Sequence, residues 1–134
     1  MRTSIFLSLL IVAACGKDDA RPAAGKTSVP AASSRDGLLA TWKQGGLTPS
    51  AFTPAQVSFG TDCRSGTVGA IDVLVCSYPT APEATSASDA AYRWVGDATG
   101  AVKPSGKLLI AAADRRKSDP SGRTINQLLK LATK

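Results

Sequence analysis

The nine residues from Ala70 to Tyr78, AIDVLVCSY, constrain the fold more than any other stretch of this chain. Apolar side chains occupy both alternating sets of positions, so both faces of a strand here are apolar. That pattern is typical of a central strand that helices cover on at least one side. Asp72 is the exception, and we expect its carboxylate to lie at a sheet edge or to pair with an arginine. In a cleft, Asp72 would be the first candidate for a functional group.

The patterns on either side of this strand predict a mixed fold. Further strands are predicted at Gln56–Thr61, Thr99–Lys103 and Lys107–Ala113, and helices at Arg35–Gln44, at Ser88–Val95 and at the C-terminus, with residues 80–88 as a connector. The C-terminal helix begins either with Asp119 as its N-cap or with a capping box of Thr124 and Gln127. Trp42, at helical spacing from Leu38, is expected in the core. The order α-β-β-α-β-β-α favours an α+β fold, a small two-layer sandwich of one antiparallel sheet of about four strands with helices on one face.

The N-terminal segment from Leu7 to Cys15 reads LSLLIVAAC, an apolar run that ends in two alanines and a cysteine. It resembles the lipobox of bacterial prolipoproteins, in which a small residue precedes the acceptor cysteine. The resemblance implies that residues 1–14 are a cleaved signal peptide and that Cys15 carries lipid, which anchors the protein to a membrane. The apolar run of about ten residues is too short to span a bilayer core of about 30 Å. Two alternatives stay open, a cleaved signal with an unmodified Cys15 and a buried N-terminal helix.

The residue after the acceptor cysteine bears on which membrane holds the protein. In the sorting pattern of enterobacterial lipoproteins, an aspartate at this position keeps the protein in the inner membrane. Gly16 therefore favours the bacterial outer membrane, with the domain facing the periplasm or the cell surface. Residues 15–34, the cysteine and a stretch rich in Ala, Gly, Pro and Ser, predict a flexible tether with a reach of about 25 Å. Residues 35–134 remain for a single α+β domain.

The other two cysteines predict a disulfide. With Cys15 assigned to lipid, Cys63 and Cys76 remain as an even pair in an oxidising compartment. The closed loop of about 14 residues corresponds to about 3 kcal/mol of stability in the chain-entropy model. A metal site or a redox pair is the alternative, but the sequence contains no histidine and the spacing is not C-x-x-C. A tight turn at Arg64–Thr67 would put the two cysteines out of register, so we expect a wide loop or a Cys63 that folds back over the strand.

A polar stretch, DRRKSDPSGR at residues 114–123, joins the last predicted strand to the last helix. Arg115, Arg116, Lys117 and Arg123 surround this turn. Guanidinium groups beside the free N–H groups of a helix N-terminus suit an anion, so these four residues are the candidate surface for an anion or an acidic partner. The alternative is that they are solvated charges, partly paired with nearby aspartates.

The sequence excludes several catalytic arrangements. Without histidine, Ser-His and Cys-His pairs are impossible, and the aspartates lack the spacing of a catalytic dyad or a calcium loop. A net charge of +6 is moderate and scattered, so we expect no nucleic-acid partner. We expect a non-enzymatic domain without metal or cofactor, tethered to the membrane through Cys15, that binds a protein or an envelope polymer. The alternative is a binder of small anions or anionic glycans through the loop of Arg115–Arg123.

The shape of the binding surface would distinguish these hypotheses. A wide exposed apolar patch would favour a protein partner. A concave basic pocket would favour an anion, and a cleft with a convergent Asp and a Ser or Lys would favour a small hydrolase.

Overall fold

The computed structural model describes residues 34–133, which form one five-stranded antiparallel sheet with four helices. The predicted signal peptide, Cys15 and the predicted tether before Ser34 lie outside the described residues. The elements are α1 (Arg35–Gln44), β1 (Thr53–Pro54), β2 (Asp62–Val68), β3 (Ile71–Ser77), α2 (Ala81–Ser86), α3 (Ser88–Val95), β4 (Thr99–Ser105), β5 (Leu108–Asp114) and α4 (Arg123–Leu131). The strand order β1-β2-β3-β5-β4 makes β3 central. The predicted α+β class with an antiparallel sheet is confirmed, with one strand more than expected.

A tight hairpin of β2 and β3 brings the two cysteines together. Val68 pairs with Ile71 across a two-residue turn that begins with Gly69. Gly69 has φ +62°, and a positive φ at the first turn position alone is the pattern of a type II′ turn. The register then places Cys63 directly opposite Cys76, with Cα atoms 4.0 Å apart, and the predicted disulfide between them is confirmed.

The strand predicted at Gln56–Thr61 is wrong, because β2 begins at Asp62. Residues 56–61 form an irregular loop with a single bridge between Val57 and Gly60. The apolar alternation there has another cause: Val57 and Phe59 pack against the buried cluster that contains the disulfide. Since the hairpin turn lies after Val68 rather than within residues 64–67, the wide loop expected between the cysteines does not form.

Helices cover both faces of the sheet, not one. Alternate side chains of β3 and β5 enter two separate apolar clusters, one with α1 and α4 and the other with α2 and α3. All seven residues of β5 are buried. A strand whose two sets of side chains are both apolar cannot leave either face in water. The sequence pattern of β3 and β5 already required two covering layers, and the expected helices on one face alone could not have supplied them.

The predicted connector contains a helix, α2. Thr80 accepts a hydrogen bond from the N–H of Glu83 (3.4 Å), and the Glu83 carboxylate accepts one from the N–H of Thr80 (3.2 Å). This reciprocal capping box satisfies two N–H groups that would otherwise lack partners at the helix start. Ala84 lies fully buried in the second cluster. Helix α2 therefore covers part of this sheet face, where the sequence predicts only a connector.

Trp42 lies in the core, as predicted. Its side chain is fully buried where α1 meets α4, and its indole N–H donates to the carbonyl of Leu128 (2.9 Å). A buried indole needs such an acceptor, because an unpaired N–H would carry its full desolvation cost. The bond therefore joins the first helix to the last across the same face of the sheet.

Arg35 fixes the start of α1 at the disulfide end of the sheet. Its guanidinium donates to the carboxylate of Asp62 (2.9 Å) and to the hydroxyl of Ser77 (3.3 Å), the residues that begin β2 and end β3. The chain therefore enters the fold at that end. None of the helices described for residues 34–133 has the length and apolar character needed to cross a membrane.

Candidate functional site

The loop between β5 and α4, residues 115–122, is organised by two buried carboxylates. Asp114 accepts hydrogen bonds from the N–H (2.9 Å) and hydroxyl (2.9 Å) of Ser118 and from the N–H of Asp119 (2.6 Å). Burial raises the pKa of Asp114, whereas these hydrogen bonds stabilise the ionised form and lower the pKa. The hydrogen bonds have the larger effect together, so the pKa of Asp114 lies below its ordinary value. The carboxylate thus holds the loop in a defined turn.

Asp119 holds the start of α4. Its two oxygens accept the N–H groups of Arg123 (3.0 Å), Thr124 (2.9 Å) and Ile125 (3.1 Å). The residue at the N-cap position is Gly122, in the left-handed region, and it makes no side-chain cap. Asp119 therefore caps the helix from three residues further back, and the alternative capping box with Thr124 does not form.

This cap changes where an anion can bind. The sequence predicts an anion beside free N–H groups at the helix N-terminus. In the structure, the first three of these N–H groups already donate hydrogen bonds to the carboxylate of Asp119. The side chains of the loop, rather than the helix end, must therefore provide any anion site.

Two of the loop arginines converge on Asp72. Arg116 donates to the Asp72 carboxylate (3.1 Å) and to the carbonyl of Ala70 (2.8 Å), and Arg115 lies 3.6 Å from the other carboxylate oxygen. Asp72 is on the central strand, and 21% of its side-chain surface is exposed to solvent. Of the two expectations for Asp72, pairing with arginine is confirmed and a position at the sheet edge is wrong.

Arg115 also stacks on an indole. Its guanidinium carbon lies 4.3 Å from the ring centroid of Trp94, and Nη2 donates to the carbonyl of the same residue (2.6 Å). A cation over the face of an indole is attracted by the ring quadrupole. Contacts with the indole, with the carbonyl of Trp94 and with the carboxylate of Asp72 together restrain Arg115, although 40% of its side chain is exposed.

Two grooves lie on either side of this stacked pair. Groove A has a volume of about 610 Å³ and is lined by Trp94, Val95, Gly96, Asp97, Ala98, Thr99, Asp114, Arg115, Lys117 and Pro120. Groove B has a volume of about 380 Å³ and is lined by Ala51, Thr53, Ser65, Gly66, Thr67, Asp72, Trp94 and Arg115. Both volumes fall in the range of ligand sites, roughly 300–1,000 Å³. Trp94 and Arg115 belong to both grooves and form the ridge between them.

Lys117 contributes a second cation to groove A. It is the only non-glycine residue among residues 34–133 with a positive φ, +56°. A lysine in the left-handed region is uncommon, and the hydrogen bonds of Asp114 and Asp119 on either side of it hold the turn in this conformation. No ion pair within the described part of the chain includes Lys117. Groove A is also lined by the carboxylates of Asp97 and Asp114, and Asp114 is engaged by the hydrogen bonds of the loop.

No protein-family model matches this chain, and comparisons with curated proteins and with solved structures found no match either.

The four cations predicted from the sequence have different surroundings in the structure. Arg115 and Lys117 line groove A, Arg116 is engaged with Asp72, and Arg123 lines neither groove. Trp94 is not among the site residues predicted from the sequence. It is half-buried against the second cluster, and no local signal in the sequence distinguishes it from a core tryptophan.

Groove B combines a carboxylate with a hydroxyl group. Asp72 and Ser65 both line groove B, the kind of cleft that would suit a hydrolase. The carboxylate of Asp72 is held by two guanidinium groups, and the chain has no histidine to serve as a base. Asp72 therefore acts as the support that orients Arg115 and Arg116.

Proposed function

We propose that this protein is a lipid-anchored, non-enzymatic binding domain of the bacterial envelope, and that groove A binds an anionic group of an envelope partner. The observation that carries the proposal is that two cations, Arg115 and Lys117, line the same groove. Tyr92, 51% exposed, is the one large apolar side chain exposed among residues 34–133, so the wide apolar patch that would favour a protein partner is missing from that part of the chain.

The rigidity of Arg115 supports an anionic ligand. Of its five N–H donors, one is used on the carbonyl of Trp94, so donors remain for a carboxylate or phosphate. A guanidinium already fixed by an indole and a carboxylate loses little side-chain entropy on binding. The whole sequence has a net charge of +6, which becomes +5 when Arg2 is removed with the signal peptide, and this positive charge would also draw anions toward the surface.

The position of the grooves suits a tethered domain. The chain enters the fold at Arg35, beside Ser77 at the end of β3. Asp72 lies near the opposite end of the same strand, about 17 Å away at the usual rise per residue. A domain anchored through residues 15–34 would therefore present the grooves on its far side, away from the point of attachment.

The anchor is tested by Cys15→Ala in the native host. We expect the wild-type protein to partition into the detergent phase and the variant to stay in the aqueous phase, because several acyl chains are needed for lasting attachment. A variant that still fractionates with membranes would show that the attachment does not depend on Cys15.

The binding function is tested by crosslinking the lipidated protein in its native host and identifying the adduct. Lys117→Ala should lose an adduct that forms with the wild type. Lys43→Ala is the matched control, because Lys43 is an exposed lysine in the last turn of α1 and lines neither groove. An adduct that is equally abundant in all three proteins would contradict the assignment of groove A.

A protein partner is the second candidate, and one observation favours it. Tyr92 is exposed on α3 between two exposed charged residues, Asp89 and Arg93. Tyrosine and arginine are enriched in protein interfaces. In the same crosslinking experiment, loss of the adduct in Tyr92→Ser but not in Lys117→Ala would assign the partner to the outer face of α3.

A further inference from the structure

Groove B has a polar floor because part of one sheet face is left without a helix. Helices α2 and α3 pack against β4 and β5. On β2, the residues that share this face are Cys63, which is buried in the disulfide, Ser65, opposite Leu74, and Thr67, opposite Asp72. Beyond the disulfide, β2 thus presents two hydroxyl groups on this face, next to the carboxylate of Asp72.

These hydroxyl groups are available to a ligand. Thr53 pairs with Ser65 across β1 and β2, so three hydroxyls come from neighbouring positions on one surface. Within residues 34–133, no hydrogen bond engages the side-chain hydroxyl of Thr53, Ser65 or Thr67. The backbone N–H of Thr67, by contrast, is already bound by Ser50 (2.9 Å). Each hydroxyl can donate one hydrogen bond and accept two.

The walls of groove B suit a sugar ring. A pyranose presents C–H groups on its face and hydroxyl groups at its edge, so it packs on an aromatic ring while its edge bonds to hydroxyl, carboxylate and guanidinium groups. Groove B supplies the carboxylate of Asp72, the guanidinium of Arg115 and the indole of Trp94 around the hydroxyl floor. Arg115 covers one face of this indole, so a sugar would contact the other face or the edge of the ring. A purely aliphatic ligand would leave this floor desolvated and unpaired.

The two grooves share Trp94 and Arg115, so one ligand can extend across the ridge. We propose that groove B is a subsite for a neutral, hydroxyl-rich sugar unit and that the partner is an acidic oligosaccharide of at least two units, with its charged unit in groove A. The inference rests on the proposed function for groove A and names the chemical class of its ligand.

Calorimetric titration of the mature, full-length protein in detergent tests this assignment with three probes. The probes are a disaccharide of glucuronate and N-acetylglucosamine, glucuronate alone, and the neutral disaccharide of N-acetylglucosamine. We expect the acidic disaccharide to bind about tenfold more tightly than glucuronate. Thr67→Val should remove most of this gain and leave the glucuronate affinity unchanged, because it deletes a hydroxyl from groove B alone. Thr48→Val is the matched control, since Thr48 is exposed and lines neither groove.

The outcomes separate the two proposals. If the acidic disaccharide and glucuronate bind equally well and Thr67→Val changes neither affinity, the sugar subsite is overturned while the anion site stands. If the neutral disaccharide binds as tightly as the acidic one, and Thr67→Val weakens both, the sugar subsite is supported and the anion site is overturned. If none of the three probes binds, both proposals are overturned.

Discussion

Replacing Asp119 by alanine tests how much its carboxylate stabilises the first turn of α4. The change removes the acceptor for three backbone N–H groups, those of Arg123, Thr124 and Ile125. Loss of a capping side chain costs about 0.5–2 kcal/mol, and hydrogen bonds to a charged acceptor lie at the upper end of the scale. Asp119 is only 7% exposed, so water replaces the carboxylate poorly. We expect a loss of about 2 kcal/mol, which lowers the Tm of a domain of this size by about 10 °C.

Thermal unfolding of Asp119→Ala and Asp119→Asn measures the effect. The asparagine keeps one acceptor oxygen but replaces the other with a donor, so it should lose about half as much stability. Phosphate supplies a second test, because the alanine variant exposes an empty helix N-terminus. At matched ionic strength with chloride as the control, phosphate should raise the Tm of Asp119→Ala more than that of the wild type.

Two results would refute this reasoning. An alanine variant that melts within about 2 °C of the wild type would mean that the helix start does not depend on the carboxylate. Equal stabilisation of both proteins by phosphate would mean that the N–H groups are no more open to an anion in the variant than in the wild type.

Three further predictions concern the rest of the fold. Replacing Cys63 and Cys76 together by alanine should cost about 3 kcal/mol in urea unfolding, and a reductant should destabilise the wild type but not the double variant. Because the pKa of Asp114 is lowered, its contribution to stability is complete above its ordinary value of 3.8 and is lost as the pH falls through the lowered pKa. Asp114→Asn should therefore be destabilised at pH 7 and approach the wild type in acid, as followed by urea unfolding across pH. Gly100→Ala should cost about 2 kcal/mol in the same assay, because its Cβ would collide with the backbone carbonyl of Ala112 and with Val95.

The elements that the sequence predicted well are those with a complete local signal. Helix α1 has an N-cap at Ser34, an apolar line through Leu38 and Trp42, and glycines after its end, and its bounds match the prediction. The central strand β3 has apolar side chains on both faces and a proline directly after Tyr78. These signals lie within about ten residues of each other, so no tertiary information is needed to interpret them.

The elements that the sequence analysis missed depend on distant partners. In β2, only Cys63 and Val68 are buried, so the strand has almost no apolar alternation and forms because β3 provides a hydrogen-bonding partner. The local signals for α2 were the capping box from Thr80 to Glu83 and a proline in the first turn. The Pro, Ala, Ser and Thr content of the stretch favoured a connector instead. Tertiary context overrides local propensity in both cases.

The candidate site was predicted only in part for the same reason. Arg115 and Lys117 could be found as a charge cluster, and Asp72 as a carboxylate in an apolar strand. Trp94 comes to this place from α3, which the sequence predicts, and Thr67 from β2, which it does not. Their contribution depends on the register of β2 and on the packing of α3, which no short window of sequence encodes.

The loop between β5 and α4 shows how a mixed-charge sequence produces a basic surface. Residues 114–123 contain four cations and two acids, which suggests pairs that cancel one another. The acids do not pair with the cations. Asp114 and Asp119 turn inward and bind backbone N–H groups and a serine, which leaves the cations on the outside. The same inward hydrogen bonds hold Lys117 in its left-handed conformation on groove A. The carboxylates that stabilise the loop are thus also the reason that its surface is positive, and a substitution that frees either acid should weaken anion binding even where the cations are untouched.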